Sequence, residues 1–78
     1  MFDKFLSMYY DGAEDDDAIS FLRYNIGEVP QDMREVIETL IAVYDEGKYL
    51  STRVGHKIRE FAIQEIVNYI EREAYKYA

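Results

Sequence analysis

Between Pro30 and Gly47 the apolar residues Met33, Val36, Ile37, Leu40, Ile41 and Tyr44 recur at intervals of three and four. That is the repeat of one face of a helix with 3.6 residues per turn. A half-buried strand cannot use it, because strand side chains change face at every residue. Pro30 suits the first turn, where its missing N–H costs nothing, and Gly47 is expected to close the helix in the left-handed conformation. The same spacing links Phe2, Phe5, Leu6 and Tyr9 before Gly12, and Ile19, Leu22 and Ile26, with Phe21 beside them, before Gly27. It returns in Ile58, Phe61, Ala62, Ile66, Tyr69, Ile70 and Tyr77. The expected fold is therefore all-α: a compact bundle of about four helices. A long C-terminal helix from His56 to Tyr77, about 33 Å at 1.5 Å per residue, is its spine.

Asp15, Asp16 and Asp17 can each cap the second helix, expected at about residues 16–25, and Ser51 or Thr52 the last. Residues 48–54, with Tyr49, Thr52 and Val54, read alternatively as a strand. Its only conceivable partner, Ile26–Val29, is short and broken by Gly27, so the expectation stays all-α with this segment open. Seventy-eight residues make one domain, 1–78, whose folding buries roughly 60% of the unfolded surface. A content of 49% hydrophobic residues is too high for a disordered acidic tail.

The absence of cysteine and the single histidine, His56, exclude disulfides and His- or Cys-based metal sites. A calcium loop needs Gly at position 6 and Glu at position 12. Counted from Asp11 those positions hold Asp16 and Leu22, and from Asp15 they hold Ser20 and Ile26. No phosphate-binding or dinucleotide fingerprint is present. His56 lies beside Arg53, Lys57 and Arg59 and has no nucleophile with an orienting group, so no catalytic residue, metal or cofactor is expected. No apolar run approaches the ~20 residues of a membrane span, and no cationic stretch precedes an apolar one at the start. A cytoplasmic, non-enzymatic protein is the expectation.

Charge is distributed unevenly. Residues 1–47 hold twelve acids against Lys4, Arg23 and Arg34, a charge of −9, whereas residues 48–78 carry +2. Asp11, Glu14, Asp15, Asp16 and Asp17 place five carboxylates in seven residues. Glu28, Asp32, Glu35 and Glu38 follow at intervals of four, three and three, and Asp45 and Glu46 sit at the helix end. Acids there oppose the negative end of the helix dipole, and acids one turn apart repel by a few tenths of a kcal/mol per pair, so stability alone does not account for them. Carboxylates one helical turn apart lie ~5–6 Å from each other, close to the phosphate interval along a DNA strand. These eleven residues are the candidate partner-binding set. The implied partner is a basic DNA-binding protein; direct binding to nucleic acid is disfavoured, because affinity for phosphates comes from cations.

In its shortness, lack of cysteine, acidic helices and many tyrosines, the chain resembles the small phage-encoded DNA mimics. Those proteins disable host restriction enzymes, uracil-DNA glycosylase or the nucleoid protein HU, and the HU-inhibiting kind is the nearest in character. The resemblance lies in size and composition, not in a motif, and carries no site residue across. It implies an inhibitor acting in the cytoplasm of a phage-infected host.

Two alternatives belong to other classes. The third helix, a Gly47–Leu50 turn and a last helix opening with Arg53, His56, Lys57 and Arg59 resemble a helix-turn-helix regulator. Ala42 and Gly47 are five apart where the motif's small residue and glycine are four apart. A generic helical protein-interaction adaptor is the other. The last helix also has two apolar stripes, and the one containing Ile63, Val67 and Ile70 is a candidate homodimer interface. Tyr44 and Tyr69 fall on core stripes. Tyr9, Tyr10, Tyr75 and Tyr77 either join a dimer or cluster locally between the termini.

Overall fold

All four segments of helical periodicity form helices. In the computed structural model, which describes residues 1–77 and side chains as far as Lys76, these are α1 (Phe2–Tyr10), α2 (Asp15–Tyr24), α3 (Gln31–Glu46) and α4 (Thr52–Glu73). Short 3₁₀ turns occupy Ile26–Glu28, Gly47–Tyr49 and Ala74–Tyr77. Residues 48–54 are the 3₁₀ turn and the start of α4, and there is no strand among the described residues. The apolar stripes converge on one core. Phe5 of α1, Ala18, Ile19 and Leu22 of α2, and Met33, Ile37, Ile41 and Tyr44 of α3 meet Ala62, Ile63, Ile66, Val67 and Ile70 of α4.

This core corrects the expected dimer interface. Ile63, Val67 and Ile70 are buried within the single chain. Ala62 and Ile66 of one stripe and Ile63, Val67 and Ile70 of the other are covered by the chain's own helices, whereas Phe61 of the first stays exposed. Two of the terminal tyrosines pack locally, Tyr9 and Tyr10 stacking edge to face at 5.1 Å, whereas Tyr75 is exposed. The Tyr10 hydroxyl reaches the Glu71 carboxylate at 3.0 Å, joining α1 to the end of α4. The side chain of Tyr77 lies outside the described residues.

The helix ends also depart from expectation. Glu14, not one of the three aspartates, takes the N-cap position of α2 and makes no side-chain cap bond. Asp15, Asp16 and Asp17 occupy the first turn, where they complement the dipole. Pro30 precedes α3 as its N-cap residue, and Ser51 precedes α4 with its hydroxyl uninvolved in capping. The left-handed glycine is Gly12, at φ +89°, which turns α1 into α2. Gly47 is right-handed, at φ −61°, and glycine is required there for a different reason. A Cβ on Gly55 would come within 2.2 Å of the Gly47 carbonyl oxygen, and a Cβ on Gly47 within 2.8 Å of Arg59 Cγ. Backbone meets backbone where α3 gives way to α4, and Arg59 Nη1 donates to the same Gly47 carbonyl at 2.9 Å.

From that contact α3 and α4 run side by side. Gly47 meets Gly55 and Arg59, while Thr39, Leu40, Val36 and Asp32 share a groove with Glu65, Tyr69 and Arg72. Residue numbers rise along one helix as they fall along the other. The pair is an antiparallel hairpin over the whole length of α3, and α1 and α2 complete the bundle.

Candidate functional site

The structure divides the acidic residues into three groups. The first surrounds the α1–α2 turn. Asp11 accepts from Ser7 Oγ at 3.3 Å, and Glu14, Asp15 and Asp16 border a polar cleft of about 300 Å³ that also contains Tyr44, His56 and Arg59. Glu14, Asp15 and Asp16 share this cleft with the Arg59 guanidinium, which answers part of their charge.

The second group is a seam between α2 and α3. Arg23 grips Asp45 with two hydrogen bonds, 2.7 and 3.0 Å, and Lys48 Nζ stands 3.9 Å from the same carboxylate. The Arg23 hydrogen bonds, more than its charge alone, hold the Asp45 pKa below the ordinary carboxylate value. The unfavourable helix-end position of Asp45 is thereby offset. Beside it the Tyr44 hydroxyl donates to Asp16 Oδ1. Burial of the phenol, then this bond, raises the Tyr44 pKa well above its usual value.

A phenol whose pKa is raised on folding adds stability fully below its unfolded value of about 10, and loses it as pH rises beyond that. Tyr44→Phe should therefore cost about 1 kcal/mol at pH 7, the net worth of a hydrogen bond. Urea midpoints measured at pH 7 and pH 10.5 should show the gap between variant and wild type narrowing at the higher pH. An equal gap at both would contradict this role for Tyr44.

The third group is exposed. The intervals of three in Asp32, Glu35 and Glu38 fall about 60° short of a turn each, so this row winds across α3 instead of following one line. Glu35, Glu38, Ala42 and Glu46 occupy the side opposite the buried Met33, Ile37 and Tyr44. Asp17, Ser20 and Tyr24 are exposed on α2 at intervals of three and four, next to the seam. The Arg23–Asp45 and Tyr44–Asp16 contacts hold α2 beside α3, and these residues are exposed on the two helices, with Glu35 also bordering the α3–α4 groove. Glu35, Glu38, Glu46 and Asp17 have no cationic partner among the described residues. The nearby cations are committed elsewhere. Arg23 holds Asp45, and Arg34 turns Nη2 onto the backbone carbonyls of Gly27 and Val29 at 3.1 and 2.8 Å. Glu28 is exposed in the 3₁₀ turn before α3, and Asp32 borders the α3–α4 groove.

Sequence reasoning missed two kinds of residue. Tyr24 is 92% exposed beside the acidic face, and Tyr49 is 84% exposed at the α3–α4 turn; neither lies on an apolar stripe, and that was the available signal. Val36 and Phe61 lie on expected core stripes yet are exposed, because each stripe is wider than the neighbouring helix that covers it.

The α3–α4 hairpin also bears on the regulator alternative. In a helix-turn-helix the two helices cross at about 90–120°, which frees the second to enter the major groove. Here α4 is held against α3 along the latter's whole length. No helix among the described residues is long and apolar enough to cross a membrane, and no cluster of three His, Cys, Asp or Glu among them could hold a metal ion. No protein-family model, curated protein or solved structure matches the chain.

Proposed function

We propose that the chain is a non-enzymatic DNA-mimic inhibitor, offering the acidic α2–α3 face to a basic DNA-binding protein of a phage-infected host. A nucleoid protein of the HU kind is the first candidate target. One observation carries this reading: Asp17, Glu35, Glu38 and Glu46 are each exposed and have no cationic partner among the described residues, while Arg23 and Arg34 are turned to structural bonds. A face that must attract Lys and Arg from a partner gains both affinity and a faster encounter. The aspartate cluster at the α1–α2 turn contributes to the long-range field, but its cleft is shared with His56 and Arg59.

Calorimetric titration of purified HU with the protein, at 50 and 300 mM salt, tests this. The expected result is a complex at low salt that weakens more than tenfold at high salt, because exposed charges are screened within a few ångströms there. A complex indifferent to salt would favour the apolar adaptor reading. Failure of HU and other basic DNA-binding proteins to bind would overturn the proposal.

A further inference from the structure

With Ile63, Val67 and Ile70 inside the core, a different face of α4 remains uncovered. Val54, Ile58, Phe61, Glu65, Tyr69 and Arg72 follow at intervals of four, three, four, four and three, which makes one continuous face. Val54 is 50% and Phe61 56% exposed, and Ile58 and Tyr69 are half-buried. The strip widens onto α3 through Val36 and Leu40, which border the same groove as Glu65 and Tyr69.

Its charges are arranged about a centre. Lys57 lies four residues before Phe61 and Glu65 four residues after, in one row of the helix. Neither has an ion-pair partner among the described residues, and neither does Arg53, one turn before Lys57. We infer that this strip is the interface of an antiparallel homodimer, in which two copies of α4 cross at Phe61. A two-fold axis through Phe61 sets Lys57 of each copy against Glu65 of the other, twice over. Val54 of each then falls opposite Asn68 and Tyr69 of the other. A two-fold interface must be self-complementary, and a cation and an anion equally spaced about an exposed aromatic satisfy that condition. A parallel arrangement would instead put Lys57 on Lys57. Glu35 borders both the strip's groove and the acidic face, whereas Glu38 borders a separate pocket with Arg23 and Asp45, and the dimer test changes none of the residues whose reversal tests the inhibitory role.

Light scattering on the eluting full chain at 5–200 µM tests it. The expected mass is twice the 9.3 kDa of one chain. Phe61→Glu should return it to one chain with an unchanged helical circular dichroism spectrum, because the side chain is already half in water. Lys57→Glu alone should weaken the dimer at least tenfold, and adding Glu65→Lys should restore it; exchanging the two charges preserves an antiparallel pair and no other register. A monomer at every concentration would overturn the inference, including the case in which the strip serves a different protein. So would a dimer untouched by Phe61→Glu, or a charge exchange that fails to rescue Lys57→Glu.

Discussion

Gly55→Ala is expected to destabilise the fold by about 3 kcal/mol, at the upper end of what overpacking a core costs. The added methyl group meets the Gly47 carbonyl oxygen at 2.2 Å, a backbone atom fixed by the end of α3. Neither helix can retreat cheaply. α3 and α4 share the buried Ile37, Ile41, Tyr44, Ala62 and Ile66, and separating them opens that contact. In an exposed helix interior the same substitution would add about 1 kcal/mol of helix propensity, so the sign of the result distinguishes close approach from propensity. Gly27→Ala is the control, with nothing within 4 Å of the new Cβ and no left-handed φ. It should be neutral or stabilise by about 0.5 kcal/mol. For a domain with a total stability of about 4–12 kcal/mol, the difference is plain in a urea titration. Gly55→Ala should shift the midpoint far down and Gly27→Ala should not. An unchanged midpoint for Gly55→Ala would mean that α3 and α4 do not meet backbone to backbone.

The second large effect concerns binding. Asp17→Lys, Glu38→Lys and Glu46→Lys combined should weaken HU binding by more than tenfold, over ~1.4 kcal/mol, with helix content preserved. These three are chosen because none holds a structural bond, whereas reversing Asp45 would also break the Arg23 clamp. The reversals have opposite local effects. Lys at 17 opposes the dipole at the start of α2, and Lys at 46 complements it at the end of α3, each by about 0.5 kcal/mol. Stability should therefore barely move while binding collapses. Unchanged affinity at physiological salt would remove this face from the proposal.

Helix positions were legible in the sequence because their signals are local. The run from Met33 to Tyr44 has one periodicity and a proline before it, so α3 appears where the pattern puts it. What the sequence does not display is which neighbour covers each stripe. Ile63, Val67 and Ile70 looked spare because α4 has apolar residues around more than half its circumference, and only the placement of α1 and α2 shows them enclosed. Phe61 shows the converse: its spacing suits a core, but no helix reaches it. Gly47 departs from expectation for a related reason, since a glycine after a helix suggests a left-handed turn, while its true constraint is a backbone eight residues further along the chain. For the acids, sequence gave the charge and not the partners. Asp16 and Asp45 are occupied by Tyr44 and Arg23, pairings across 28 and 22 residues that no local pattern encodes.

The most direct test of the inhibitory role is competition for DNA. A fluorescent duplex bound to HU is titrated with the protein at physiological salt, and its anisotropy is followed. A DNA mimic should return the signal to that of free duplex, with HU carried away in a complex that contains no DNA. The Asp17→Lys, Glu38→Lys and Glu46→Lys variant should need more than ten times as much protein to do so. Duplex that stays on HU at saturating protein, or a shift produced by the protein on duplex alone, would contradict the account.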